Sequence, residues 1–242
     1  MIYTLHIVGS VRCLEETGTR ADGPPTHPAV PVARDGTETR AALLAEAESQ
    51  FAEIGIWQAP VGGIVRAAGQ RNASALTYHF GSRDGVLDAI LAEHGNPIDA
   101  HRGRLISATH DDPDAPADAR SLVSALVRPM TAILDNPRGR RYVRIVAQLS
   151  DRFPAWQDAP SSVDQAHLAE ALIRLEVLAN GASATIRNAR LVAMIRLMTS
   201  SLAARAVVLD SPTTPALDDP TYEADLVDVL VGVLTAPSSL AA

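Results

Sequence analysis

The chain has 242 residues, enough for one or two domains, and carries a formal net charge of -7 with a pI near 5.4. This balance excludes a protein whose whole surface is basic for binding nucleic acid. Hydrophobic residues make up 47% of the chain but aromatic residues only 4%, so the core has to be built mainly from small and aliphatic side chains. Such a core favours close-packed helices over an aromatic-rich β-sandwich, and the composition therefore predicts an all-α protein.

Neither secretion nor membrane insertion is indicated. A single cysteine, Cys13, cannot form an internal disulfide, and the sequence has no run of about 18 uncharged apolar residues. The first residues, MIYTLHIVGSVRC, are apolar but lack a basic region ahead of the apolar run, which argues against a signal peptide. We therefore expect a cytoplasmic protein.

Residues 1–35 differ in character from the rest of the chain. After a short β-like run at residues 2–11, residues 23–36 contain four prolines and two glycines, a density that prevents helix formation. We interpret this segment as disordered or extended. It is either a functional arm or a stretch added by an upstream start codon.

Helical patterns begin at Asp35. Asp35 and Glu38 form a capping-box arrangement, and apolar residues then recur at helical spacing until Gly55 closes a first helix. Pro60 is predicted to occupy the first position of a second helix, which ends where Gly69 supplies a left-handed turn.

Two more helices follow in quick succession. Asn72 is predicted to cap a short third helix that ends at Phe80, and Ser82 to cap a fourth. The run Gly95-Asn96-Pro97 is expected to kink or interrupt this fourth helix and to act as a hinge. Turn signals then separate five further helices, predicted at about 118–134, 139–152, 162–180, 183–209 and 220–236.

Residues 61–80, VGGIVRAAGQRNASALTYHF, have the layout of a helix-turn-helix. The second helix of that motif lies in the major groove, so most of its side chains are small or polar while one or two anchor it to the domain. Leu76 and Phe80 are predicted to point inward, toward Ile64 and Phe51. The residues predicted to face outward are Asn72, Ala73, Ser74, Thr77 and Tyr78.

Charge is distributed unevenly around this motif. Between Val61 and Arg83 there are three arginines, Arg66, Arg71 and Arg83, and no Asp or Glu. A local charge of +3 within a protein of net charge -7 is the asymmetry that a phosphate-binding face requires.

This region resembles the DNA-binding domain of TetR-type transcriptional regulators. The resemblance extends from about residue 39 to residue 91, about a fifth of the chain. It rests on the stretches FAEIG (51–55), IVRAAG (64–69) and YHFGSRDGVL (78–87). It implies about nine helices in all, with residues 36–82 binding DNA and residues 83–242 forming a helical domain for effector binding and dimerisation.

The resemblance also implies roles for individual residues. Phosphate contacts fall on Pro60 or Val61, Thr77, Tyr78, His79 and Arg83, with Arg66 as a further candidate. Base contacts fall on Arg71, Asn72, Ser74 and Thr77. Arg71 can bind guanine O6 and N7 in bidentate fashion, a contact worth about 1–3 kcal/mol of discrimination. The alternative is that Tyr78 and His79 pack in the core and that Arg66 is a solvated helix residue.

The sequence departs from the family pattern in several places. It has one residue more between Gly69 and Phe80 than the common spacing, which we place in the turn at Gln70-Arg71. Ala59 replaces the usual Ser or Thr cap of the second helix, and Arg83 stands where Lys is commonest.

Two C-terminal segments are apolar around nearly their whole circumference: LVAMIRLM (191–198) and LVDVLVGVL (226–234). We expect one face of each to pack within the subunit and the other to pack on a second copy, giving a two-fold homodimer; the alternative is burial within one subunit. A dimer presents two recognition helices to double-stranded DNA and reads a palindrome with half-sites about 34 Å or more apart.

The remaining helices, at about 118–180, are implied to enclose a pocket for an unknown small-molecule effector. Candidate lining residues are Met130, Tyr142, Phe153, Trp156, His167 and Met194, although each of them also fits a plain core position. The scarcity of charged candidates favours an apolar or aromatic effector. A separate group, Arg138, Arg140, Arg141 and Arg144, is interpreted as a solvated or acid-paired helix face rather than a second DNA site.

Motifs of the common enzyme classes are absent from the sequence. It contains no G-x-S-x-G, no phosphate-binding glycine loop, no paired cysteines and no Glu with a His three residues on. We therefore expect no catalytic residue, cofactor or metal site. The function predicted from the sequence is a DNA-binding repressor released by an effector; the alternative is a helical protein-binding adaptor or small-molecule-binding protein without a DNA function.

Overall fold

The computed structural model describes residues 36–108, 118–150, 165–181 and 183–237. Within these ranges the chain forms nine α-helices and no strand, which confirms the all-α prediction. A short 3-10 helix, Ala132–Asp135, joins the fifth and sixth helices. The helices are α1 (Gly36–Glu53), α2 (Val61–Ala67), α3 (Ala75–Phe80), α4 (Arg83–Ala108), α5 (Ala119–Thr131), α6 (Pro137–Ser150), α7 (Ala166–Leu178), α8 (Ala184–Asp210) and α9 (Asp219–Thr235).

Helices α1 to α3 and the start of α4 pack around one end of the hydrophobic core. Phe51 on α1, Ile64 on α2 and Leu76 on α3 are buried there, and Phe80 is partly buried against them. The predicted inward anchors of the helix-turn-helix are therefore confirmed. Because these side chains hold α3 from one side only, its other side is left at the surface.

Two helix starts differ from the sequence prediction. Pro60 has extended backbone angles and precedes α2 as its cap, with its carbonyl accepting from the N–H groups of Gly63 and Ile64. Asn72 does not begin α3, which starts three residues later at Ala75. Its side-chain oxygen instead accepts from the backbone N–H of Ser74 at 3.0 Å and caps the turn before the helix.

The predicted interruption at Gly95-Asn96-Pro97 is wrong, since α4 runs without a break from Arg83 to Ala108. Pro97 removes one backbone donor from the helix interior. Gly95, Ile98 and Asp99 around it are buried against neighbouring helices, and this packing outweighs the lost hydrogen bond.

Helices α5 to α9 form a helical body in which α8 packs mainly on α6 and α9. Among the described helices, α8 alone has the length and composition of a membrane span. Its residues Leu191, Met194 and Leu202 are nevertheless buried within the body, as expected for the core helix of a bundle.

Candidate nucleic-acid interface

The turn between α2 and α3 is a Schellman motif. Gly69 has a φ of +71°, its N–H donates to Arg66 O at 2.9 Å, and the N–H of Gln70 donates to Val65 O at 3.0 Å. These two bonds satisfy carbonyls at the end of α2 that have no partner within the helix. The left-handed turn predicted at Gly69 is confirmed, and it sets the direction in which the chain approaches α3.

The outer side of α3 and the turn before it form an exposed surface. Arg71, Asn72, Ser74, Thr77 and Tyr78 are all exposed, and Tyr78 keeps 85% of its surface accessible. We call these five residues the recognition surface. Their outward orientation agrees with the prediction, and they combine hydroxyl, amide and guanidinium groups, which can donate hydrogen bonds to DNA.

His79 occupies an intermediate position behind this surface. It is half-buried, with its ring 5.0 Å from the Tyr78 ring in an edge-on arrangement and 6.4 Å from the Phe80 ring. The exposed Tyr78 is therefore supported from behind by an aromatic neighbour.

The arginines around the recognition surface are held differently. Arg66 is exposed on α2. Arg83 is half-buried, and its Nη1 donates to Ile56 O at 2.6 Å, which ties the start of α4 to the turn between α1 and α2. A guanidinium has five N–H donors, so this bond leaves others available for a phosphate.

A further arginine, which the sequence pattern did not predict, lies beside the end of α3. Arg40 on α1 is exposed, and its guanidinium lies 4.7 Å from the centre of the Phe80 ring at the end of α3. Cation–π contact of this kind holds the charge beside the recognition helix. The two residues are forty positions apart and belong to different helices, so no local sequence pattern could have paired them.

The arginine group on α6 is acid-paired, as expected. Arg138 binds Glu48 and Glu93, each at 2.7 Å, while Arg140 binds Asp210 at 2.5 Å. Arg141 and Arg144 lie 3.8 Å from Glu48 and Asp210 respectively. The helix face is thus used to hold neighbouring helices together.

The predicted effector-binding residues fall into different environments. Met130, Tyr142 and Met194 are buried in the common core, and Tyr142 stacks on His94 with ring centres 4.8 Å apart. His167 is half-exposed, while Phe153 and Trp156 lie outside the described residues.

A crevice of 250 Å³ lies between the end of α5 and the start of α9. The four described effector-binding candidates do not line it. Its lining residues are Thr131, Ala132, Leu134, Asp135, Asp219, Pro220, Tyr222 and Glu223.

No family model and no curated protein sequence matches the chain. Solved structures do match it. The repressor NalD of Pseudomonas aeruginosa, described as the secondary repressor of the MexAB-OprM multidrug efflux pump, is 20% identical with a TM-score of 0.52, over 85% of this chain and 100% of that one. The ketosteroid transcriptional regulator KstR2 of Mycobacterium tuberculosis is 17% identical with a TM-score of 0.50, over 82% and 95%.

A bacterial regulatory protein of the TetR family from Rhodococcus RHA1 is also similar, at 16% identity and a TM-score of 0.50, over 83% of this chain and 98% of that one. Each match covers nearly the whole of the other chain. At these identities the likeness concerns architecture. The chain has the fold of TetR-family transcriptional regulators.

Proposed function

We propose that the protein is a sequence-specific DNA-binding regulator, a repressor that a small-molecule effector releases from a palindromic operator. The observation that carries this proposal is the recognition surface on α3. It is exposed, anchored from behind by Leu76 and flanked by arginines in a segment without a single acidic residue. A surface of this kind fits the major groove of duplex DNA.

The proposed contacts with DNA are of two kinds. Phosphate contacts position the protein without reading sequence, and we assign them to Arg66, Thr77, Tyr78, His79 and Arg83. Base contacts give specificity, and we assign them to the front of the recognition surface. These residues are Arg71, Asn72, Ser74 and Thr77.

We place a homodimer interface on α8 and α9. Both helices expose apolar side chains in the single chain, with Leu197 at 37%, Val207 at 52% and Val229 at 45% accessible. Gly232 on α9 is exposed with open space around it, so another helix can approach closely there. A second subunit that covers these residues also supplies the second recognition helix, which adds affinity that one module lacks.

The effector is proposed to bind in the helical body, close to the residues identified from the sequence. The described candidates Met130, Tyr142 and Met194 are mostly apolar, which favours an apolar or aromatic ligand. Such a ligand would favour a state in which the two recognition helices are misplaced for the operator, and so weaken DNA binding. The proposed function involves no enzymatic activity. The proposed location of the protein is the cytoplasm.

A gel-shift experiment tests the proposal. The full chain is mixed with labelled fragments of the DNA upstream of its own gene, together with an excess of unlabelled competitor of shuffled sequence. We expect one fragment to be retained despite the competitor. Failure to retain any fragment at low salt, where phosphate contacts are strongest, would contradict the proposal.

A further inference from the structure

Helix α6 of the body packs along α1 of the DNA-binding region. One side chain of α6, Gln148, forms hydrogen bonds with the turn between α1 and α2. The side-chain amide of Gln148 donates to Phe51 O at 2.8 Å and accepts from the N–H of Ile56 at 2.9 Å. Its amide nitrogen also donates to Arg144 O at 3.3 Å within α6. The amide is therefore fixed on its own helix and bonded to both sides of the turn.

The backbone groups that Gln148 binds lack partners in helices. Phe51 lies in the last turn of α1, whose carbonyls have no intrahelical donor. Ile56 follows Gly55, which has a φ of +117° and directs the chain away from the helix axis. Satisfying two such groups with one amide makes the position of the turn depend on the position of α6.

A second contact joins the same two helices nearer the start of α6. Glu48 on α1 is fully buried and accepts from Arg138 Nη2 at 2.7 Å and from Arg138 Nε at 3.1 Å. His94 Nε2 of α4 lies 3.0 Å from the same carboxylate. Because Arg138 and Gln148 both lie on α6, movement of α6 is passed to the DNA-binding helices at two points, Glu48 on α1 and the turn after α1.

The turn between α1 and α2 is hydrogen-bonded to Arg83, which we propose binds a DNA phosphate. The carbonyl of Ile56, whose N–H binds Gln148, accepts from Arg83 Nη1 at 2.6 Å. A continuous path of hydrogen bonds thus leads from α6, through the backbone of one buried residue, to Arg83 at the start of α4.

We infer that Gln148 is a positioning residue for DNA binding, which sets the α1–α2 turn and Arg83 in register with the recognition surface. The inference rests on the proposed function. It gives α6 a route to the DNA-binding helices through the α1–α2 turn, in addition to its direct contacts with α4. A ligand that shifts α6 would break the alignment of the phosphate contact with the base contacts.

The test compares Gln148→Met with wild type in the full chain. Methionine has a similar length but forms neither hydrogen bond to the turn. We expect its affinity for the retained operator fragment to fall by about tenfold, equal to about 1.4 kcal/mol. Affinity for a shuffled duplex should change by less than about threefold, because Arg83 keeps its charge in this variant and can still bind a phosphate where no base contacts have to be matched. Amide hydrogen exchange in residues 54–59 should become faster.

Two further variants separate positioning from general stability. Gln148→Glu keeps an oxygen for the Ile56 N–H but places a carboxylate oxygen against the carbonyls of Phe51 and Arg144, so it should lose at least as much operator affinity as Gln148→Met. Arg140→Met removes bonds from α6 to Asp210 and to Leu134 O, none of which reaches α1. This control should bind the operator like wild type, and thermal unfolding of all variants shows whether each one folds.

Three results would overturn the inference. One is operator affinity of Gln148→Met within about twofold of wild type. Another is an equal loss for operator and shuffled duplex. The third is unchanged amide exchange at residues 54–59. If the wild type itself bound no duplex, the proposed function would fail, and the exchange measurement alone would still decide whether Gln148 holds the turn.

Discussion

Arg71 and Arg83 carry the same charge but lie in different surroundings. Arg71 is exposed just ahead of α3, whereas Arg83 is half-buried and bonded to Ile56 O. An exposed, extended side chain can reach a base edge, while a tethered one is suited to a fixed phosphate position. We therefore expect their removal to have different consequences for DNA binding.

The first prediction concerns these two residues. Arg71→Ala should relax the base preference at one operator position, with a loss of about 1–3 kcal/mol of discrimination. Arg83→Ala should weaken binding to all duplexes and lower the slope of log K against log salt by about one. Fluorescence anisotropy at several salt concentrations measures both quantities. If both variants bound like wild type throughout, the assignment of the recognition surface would be wrong.

The second prediction concerns Glu48. Burial raises the pKa of this carboxyl, but hydrogen bonds from His94 and Arg138 lower the pKa by more than burial raises it. The net result is a pKa below the ordinary value of 4.5. A carboxyl whose pKa is lowered on folding stabilises the protein above its unfolded pKa. That contribution is lost as the pH falls below 4.5 through the lowered value.

Glu48→Gln should accordingly lower the free energy of unfolding by about 2 kcal/mol at pH 7. The difference from wild type should shrink as the pH falls below 4.5. Urea unfolding at a series of pH values measures it. Glu46→Gln on the same helix serves as the control and should change little. A difference for Glu48→Gln that stayed constant with pH would show that the carboxylate is not stabilised in the folded state.

Helix ends were predictable at Ser82 and Gly69, where one local residue determines them, but not at Asn72, since α3 begins three residues later. Ser82 starts α4 as expected, with its hydroxyl accepting from the N–H of Gly85 at 3.0 Å, and Gly69 ends α2. The predicted interruption at Pro97 does not occur, because the local penalty for proline is outweighed by packing that only the folded chain provides.

Contacts between different helices in the candidate site could not be predicted from the sequence either. Glu48 shares the buried stripe of α1 with Leu44 and Phe51, so helical spacing could have marked it as unusual. Its partner Arg138 lies ninety positions away on another helix, and Gln148 lies 92 positions from Ile56 in the turn that it holds. Residues on one short helix, such as those of the recognition surface, can be found from periodicity; contacts between helices cannot.

The third prediction uses two glycines at opposite ends of one element. Gly62 lies within α2, exposed and with open space around it, so Gly62→Ala should stabilise the protein by about 1 kcal/mol through helix propensity. Gly69 has a φ of +71° in the turn, so Gly69→Ala should destabilise it by about 1 kcal/mol. Urea unfolding gives both values. Changes of the same sign would contradict the assignment of the α2–α3 turn.

On the scale of the whole molecule, the net charge of -7 and the local positive charge at the helix-turn-helix have opposite effects on the electrostatic attraction to DNA. In the proposed function, the negative charge of the body weakens non-specific attraction to DNA, so affinity depends on shape and on the number of recognition helices engaged. In the proposed dimer, α8 and α9 form the interface and the second subunit provides the second recognition helix. The proposed interface also covers apolar residues that the single chain leaves exposed.

The fourth prediction is that Leu197→Glu disrupts the dimer. A charge placed at the centre of the α8 face would have to be buried without a partner, so sedimentation should show a monomer, and operator affinity should fall with it. Ile173 on α7 is more exposed, at 66%, but lies outside the proposed interface. Ile173→Glu is therefore a matched control and should remain dimeric. A dimeric Leu197→Glu, or a monomeric control, would place the interface elsewhere.

The central claim is that a two-fold dimer reads DNA sequence through α3. Selection of duplexes by the full chain from a random library tests it most directly, followed by measurement of the number of chains bound per selected duplex. The account predicts an enriched inverted repeat with half-sites about 34 Å or more apart, bound by two chains or a multiple of two. Absence of any enriched sequence, or a single unrepeated site bound by one chain, would contradict it.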